Sequence, residues 1–293
     1  MNRRDFLAAG LATAAPSVFS AIERRFDRGL LWRIDRQGVA PSHVYGTIHV
    51  SDARLAELPA AVRQRFDAAK SLMLEFVPDG YSRERFLEAA MFLDRQTLTD
   101  KIGPEDFERA VEHLQPIGLP REVVNKLKPW GVLLNLRNPK RAEQGAPLDS
   151  QLLGLARARR LPFDQIEGVE EQIFTFDEFP MESQVALLKH SLAHRGELLE
   201  LGERTLDAYL AGDLARIWRL REEFIARHPQ IAAHQAVMTK RVVYDRSVVM
   251  AFRMQRQLRR GGAFVALGAL HLYGEKGVLA LLEADGYRAE RVF

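Results

Sequence analysis

Residues 42–50, SHVYGTIHV, and 263–277, AFVALGALHLYGEKG, repeat one order of features. Each starts as an apolar run, reaches a glycine, and places a histidine three residues later. The first half reads Gly46-Thr47-Ile48-His49 and the second Gly268-Ala269-Leu270-His271. A short apolar run of this kind reads as a buried strand. After the first, Leu55, Leu58, Val62 and Phe66 recur at helical spacing over 53–69, and SLMLEF (71–76) is again a buried strand, ending at Glu75. After the second, 278–284 is helical, Asp285-Gly286 breaks it, and YRAERVF closes as a strand. Strand, helix and strand in that order make a parallel βαβ unit, right-handed by default. Its presence at both chain ends reads as an internal duplication whose halves pair in space.

Working outward, LLWRI and the turn Asp35-Arg36-Gln37-Gly38 precede the first motif as a hairpin opening the sheet. The middle of the chain is mostly helical. Helical spacing covers 82–93, a stretch opened by Pro104, 121–136, 148–159, 181–201, a stretch opened by Asp213, and 228–259, which stops at Gly261-Gly262. LPFDQIEG at 161–168 is the one strand-like interruption. The expected fold class is therefore α/β: a mixed sheet with parallel βαβ units from the two chain ends, covered by a helical middle. No Pro/Ser/Gly-rich linker divides 30–293, which reads as a single domain.

Composition narrows the chemistry. The 293 residues are 47% hydrophobic, enough for a substantial core. With no cysteine there is no thiolate metal site, cysteine nucleophile or redox pair. The net charge of +3, from 42 basic against 39 acidic residues, gives no argument for nucleic acid. The arginine-rich string at 157–160 has no aromatics interleaved for base stacking. No run of 18 apolar residues would span a membrane in the mature chain. Residues 1–21, MNRRDFLAAGLATAAPSVFSA, have the basic, apolar and small-residue order of an export signal, with Arg3-Arg4 of the twin-arginine type. The expected location is the bacterial periplasm.

Ligands of parallel sheets bind at the carboxyl ends of strands. His49, Glu75 and His271 each end an apolar strand, where a polar side chain is out of place unless it faces a cleft. The glycine before each histidine lets a neighbouring chain approach and leaves room beside the imidazole. Two imidazoles and a carboxylate suit divalent Zn, Mn, Co or Fe. Singly, each residue also reads as an ordinary buried polar group, and Glu75 as half of an ion pair with an arginine. Other candidates fail. His190 and His194 are spaced i, i+4 but have Ser-Leu-Ala between them, so the glutamate of a zincin is missing and they read as a solvent-facing pair. Gly274 and Gly277 lack the Lys-Ser/Thr of a phosphate loop, and no Gly-x-Ser-x-Gly elbow exists.

LWRID…SHVYGTIHVSD, SLMLEF and FVALGALHLYGEKGVLALLEADGYRAERV resemble the TraB/GumN family, which includes the Tiki metalloproteases. TLTDKIGPEDFERA, KLKPW and PLDSQLLGLARARRLPFDQIEGVEEQ are similar too, so the resemblance runs from about residue 30 to the C-terminus. It implies a fold like that of erythromycin-esterase and ChaN-like proteins, and a metal-dependent hydrolase of amide, peptide or ester bonds with Mn, Co or Zn. His49, Glu75 and His271 match the family's essential His, Glu and His, with Glu75 either third ligand or general base. The family's Glu-Arg-Asn string is replaced by Asp245-Arg246-Ser247. Arg246 would hold an oxyanion or a substrate carboxylate, or else form an interhelical ion pair. Glu167 and Gln172 match a further family segment and read as structural. A peptide or small-molecule substrate follows from this reading. The alternative is a non-catalytic envelope binding protein, for example in polysaccharide metabolism.

Overall fold

The computed structural model describes residues 25–136 and 145–293. The export-signal reading at 1–21 lies outside the described residues. Six strands form one sheet: β1 (Leu31–Arg36), β2 (Val39–Thr47), β3 (Ser71–Leu74), β4 (Phe163–Gln165), β5 (Ala263–Gly268) and β6 (Arg288–Arg291), in the order β4-β3-β5-β2-β1-β6. β2, β5, β3 and β4 run parallel, while β1 is antiparallel to both β2 and β6. The sheet is mixed, as expected. Ala263 to Leu267 are buried without alternation, because β5 is central and covered on both faces.

Fourteen α-helices surround the sheet among the described residues. In chain order they are α1 (Ala60–Asp67), α2 (Gly80–Ala89), α3 (Leu98–Ile102), α4 (Pro104–Leu114), α5 (Arg121–Lys126), α6 (Pro129–Leu136), α7 (Leu148–Ala158), α8 (Val169–Asp177), α9 (Met181–Ala193), α10 (Arg195–Leu210), α11 (Leu214–Arg227), α12 (Ala232–Thr239), α13 (Arg246–Arg260) and α14 (Val278–Ala284). Several expected helices are split, each for a local reason. Pro59 delays α1 until Ala60, so 53–55 is only a 3-10 turn. Pro129 separates α5 from α6, and Leu127 before the break is extended at ψ 137°. The 181–201 stretch bends at His194, where φ is −113° and ψ 32°. The long helix expected at 228–259 is a 3-10 turn, α12, a π-helical segment (Lys240–Asp245) and α13. Gly261, at φ +74°, ends α13 in a conformation that favours glycine.

The sheet packs in the largest apolar cluster, where Phe66 of α1 meets Phe264 of β5 edge-on at 5.5 Å. Met250, Met254 and Leu258 give α13 its buried face in the same cluster. α2 to α6 and part of α9 enclose a second cluster around Trp130, which stacks on Phe176 at 5.7 Å. Among the described residues no helix is long and apolar enough to cross a membrane.

Candidate functional site

The parallel strands β2, β5 and β3 lie side by side, so their carboxyl ends bring His49, His271 and Glu75 to one edge of the sheet. Their meeting point is Gly268. A Cβ there would lie 3.4 Å from Glu75 Oε2, 3.4 Å from His271 Cδ2 and 3.5 Å from His49 Nε2. A small empty volume is thus lined by the edges of two imidazoles and one carboxylate oxygen. Gly46 has the other role expected of it. A Cβ there would stand 2.7 Å from Leu272 Cδ1 and 3.0 Å from Ala269 Cα, so its absence lets the turn carrying His271 seat against β2. The carbonyl of Gly46 also accepts the Tyr209 hydroxyl at 2.8 Å, tying this strand end to α10.

Each ring is held at Nδ1. His49 Nδ1 lies 3.1 Å from Asp149 Oδ2, while Asp149 Oδ1 accepts from Thr47 Oγ1 at 3.0 Å. His49 Nε2 then faces Glu75 Oε2 at 3.7 Å. Desolvation would lower the His49 pKa, but hydrogen bonds and charge from Asp149 and Glu75 outweigh it and push the pKa up to about 10. Although half of this side chain is solvent-exposed, the two carboxylates lie directly against its nitrogens.

His271 is buried, and its Nδ1 lies 2.9 Å from Ser247 Oγ. The single hydroxyl proton of Ser247 goes to the carbonyl of Val243 at 2.8 Å. Ser247 must therefore accept from His271 Nδ1–H, which leaves the lone pair on Nε2. Burial, with the charges of Arg246 and His49 adding to it, lowers the His271 pKa to about 4, so the ring is neutral. Val242 and Val243, whose carbonyls serve the side chains of Arg246 and Ser247, lie inside the π-helical segment. Such segments interrupt the i→i−4 ladder and occur often at functional sites.

Glu75 is buried and ionised. Burial opposes the charge, but the His49 hydrogen bond and the Arg246 guanidinium hold the carboxyl well below its usual range. Its Oε2 accepts from the Gly268 N–H at 3.0 Å and its Oε1 from Arg246 Nη2. Arg246 also donates to Glu167, through Nε to both oxygens at 3.1 Å and through Nη2 at 2.6 Å, and reaches the Val242 carbonyl at 3.4 Å. Of the two readings for Arg246, the structure shows an ion pair, made with carboxylates beyond β3 and β4 and not between helices. Glu167, read as structural, joins this network, and Gln172 donates to its Oε2 at 2.7 Å.

Asp149 escaped the sequence reading because no spacing links it to His49; only the fold brings α7 to the end of β2. The histidine pair at 190 and 194 needs correction. His190 is buried and His194 half-buried, because His228 and Phe224 at the end of α11 pack over them. A groove of about 630 Å³ opens beyond β3 and β4, lined by Phe76, Val77, Tyr81, Phe163, Gln165 and Gly168 among others. Its lining includes Phe76 and Val77 just after Glu75 and residues on both sides of Glu167, though neither acid lines it.

At the first site the donor types suit a divalent cation: two imidazoles with outer hydrogen-bond partners and a carboxylate. Among the described residues, however, only His190, His194 and His228 have donor atoms all within 4.8 Å of one another, so His49, Glu75 and His271 would have to draw closer to share an ion. At neutral pH His49 is charged and His271 neutral, so ligation by His49 would first displace its Nε2 proton. The formal charges of Glu75, Asp149, Glu167 and Arg246 then leave two negative charges for an ion to balance.

The chain belongs to the TraB/PrgY/gumN family, whose pattern it matches over residues 30–291. It is 25% identical over 249 residues to the uncharacterised protein YbaP of Shigella flexneri, covering 82% of this chain and 87% of that protein. It is also 24% identical over 310 residues to the metalloprotease TIKI1 of Danio rerio, covering 89% of this chain but 62% of that protein. Metalloprotease TIKI2 of the same fish is 23% identical over 311 residues, covering 89% of this chain and 60% of the relative. No solved structure matches the chain.

Proposed function

We propose that the protein is a metal-dependent hydrolase acting on amide, peptide or ester bonds in the cell envelope, reached by export through the signal read at 1–21. The observation that supports this reading is the convergence around Gly268: His49 Nε2, Glu75 Oε2 and the Cδ2 edge of the His271 ring meet there, with both rings held at Nδ1. His49, His271 and Glu75 would hold the cation, of the Mn, Co or Zn type. When bound, such an ion supplies Lewis acidity, polarising a carbonyl and making water acidic near neutral pH.

The chain's own residues divide the remaining work. Asp149 orients His49 and accepts its Nδ1 proton's hydrogen bond; Ser247 does the same for His271. Glu75, so strongly acidic, is a poor proton acceptor and serves best as ligand. Arg246 acts behind it, keeping it charged and in place, with Glu167 as counter-charge. The groove beyond β3 and β4, with Tyr81 and Phe163 exposed, offers room for an apolar side chain of a peptide-like substrate.

The binding-protein alternative draws support from the same ion pair, since Arg246 already neutralises Glu75 without any cation. The test assays tag-free, Mn²⁺-, Co²⁺- or Zn²⁺-supplemented protein on peptide and ester panels, beside His271→Ala and His49→Ala. Turnover lost in both variants supports hydrolysis. Turnover equal in wild type and variants refutes it. A thermal shift with metal but no turnover points to the binder.

A further inference from the structure

A second cluster of metal-binding type lies in the helical middle. His190 sits near the end of α9, His194 at the bend into α10, and His228 at the end of α11. One nitrogen from each ring lies within 4.8 Å of the other two. The rings pack closely, with centroids 4.3 Å apart for His190–His194, 4.6 Å for His190–His228 and 4.5 Å for His194–His228. Phe224 closes the apolar side, 4.5 Å from His228 and 5.9 Å from His190.

Two further facts give the cluster direction. One carboxylate, Glu197, lies 2.8 Å from His194 Nδ1 and 3.1 Å from His228 Nε2. As an acceptor it fixes those nitrogens as N–H, which leaves lone pairs on His194 Nε2 and His228 Nδ1. The third ring supplies an orphan: His190 Nε2 is buried with no hydrogen-bond partner among the described residues. A buried polar atom without a partner costs free energy, and a lone pair there has no donor among its neighbours. Ligation would satisfy it.

We propose that His190, His194 and His228 form a second divalent-metal site of the Zn²⁺ type, with Glu197 as the outer partner of two ligands. A tetrahedral set with Zn–N distances of about 2.0–2.1 Å has nitrogens about 3.3 Å apart, so rotations of the rings would close the present spacing. The ligands come from three helix ends, and ligation would fasten the α9–α10 bend to α11. The glutamate of a zincin is missing between His190 and His194, so the site is assigned to holding the helices together and not to hydrolysis. Arg227 reaches the same Glu197 Oε2 at 4.0 Å, a longer contact than the 3.1 Å from His228.

The experiment uses the tag-free full chain carrying His49→Ala and His271→Ala, which removes the first site and makes the two proposals separable. After chelator treatment, Zn²⁺ and Co²⁺ are titrated by calorimetry and visible absorption. The expected result is one equivalent of metal, intense tetrahedral Co²⁺ bands, and a midpoint of unfolding raised by about 5 °C at saturating Zn²⁺. Adding His190→Ala or His228→Gln should abolish all three signals while far-ultraviolet circular dichroism is kept. If either added variant misfolds, the Co²⁺ spectrum and histidine resonance shifts of the double variant decide alone. No binding at micromolar Zn²⁺ by the double variant, octahedral-only Co²⁺ bands, or binding that survives both added changes would overturn the site.

Discussion

Ser247→Ala probes the arrangement around His271 most directly. Ser247 is fully buried, accepts from His271 Nδ1 at 2.9 Å and donates to the Val243 carbonyl at 2.8 Å. The Val243 carbonyl keeps the Arg246 backbone N–H and also serves the His271 ring, so the change leaves the imidazole proton with that carbonyl as its remaining acceptor. Losing one buried hydrogen bond while a second acceptor remains costs about 0.5–1.5 kcal/mol. For a chain of this size that lowers the midpoint of unfolding by about 2–4 °C per kcal/mol. The alternative open to the ring is to move its proton to Nε2, which removes the lone pair from the site. Loss of an outer partner of a ligating histidine typically weakens metal binding about 10–100-fold. Calorimetric titration of stripped, tag-free protein with Mn²⁺ or Zn²⁺ measures this, taking the component that His49→Ala abolishes. Long-range proton–nitrogen spectra report the tautomer. Unchanged affinity of that component, or a wild-type His271 protonated at Nε2, refutes the reasoning.

Four further predictions follow from the structure. Gly46→Ala drives a methyl into Leu272 and Ala269 and should cost about 1–3 kcal/mol in denaturant unfolding. Gly268→Ala meets only ordinary contacts at 3.4–3.5 Å, on a backbone at φ −54° and ψ 131°, so stability should change by less than about 1 kcal/mol while metal binding at this site falls sharply. Arg246→Met strands two buried carboxylates, Glu75 and Glu167, and should destabilise by about 3–5 kcal/mol at neutral pH; a stability equal to wild type would show that the pair is dispensable. His43, whose pKa is lowered to about 4 by burial and then by the charges of Arg65 and Arg33, makes stability pH-dependent. Its contribution is present above the unfolded value near 6.5 and is lost as pH falls towards 4, so His43→Gln should flatten the acid limb of the unfolding profile between those values.

The linear chain determined the strand-ending polar residues and the sheet they end. Buried strands leave a one-dimensional trace, an apolar run closed by glycine, and a histidine or glutamate just beyond is conspicuous because it contradicts the run. That is why His49, Glu75 and His271, both βαβ ends and the mixed sheet were legible. Helix existence was legible for the same reason, through periodicity, while helix ends and breaks at Pro59, Pro129 and His194 depended on local backbone detail. Tertiary structure alone decided which groups serve those residues. Asp149 reaches His49 across 100 positions of chain, Arg246 reaches Glu75 across 171, and His228 closes over His190 and His194 from another helix. Hydrogen bonds and ion pairs act over about 3–4 Å in space and leave no spacing rule in the sequence when their partners sit on different elements.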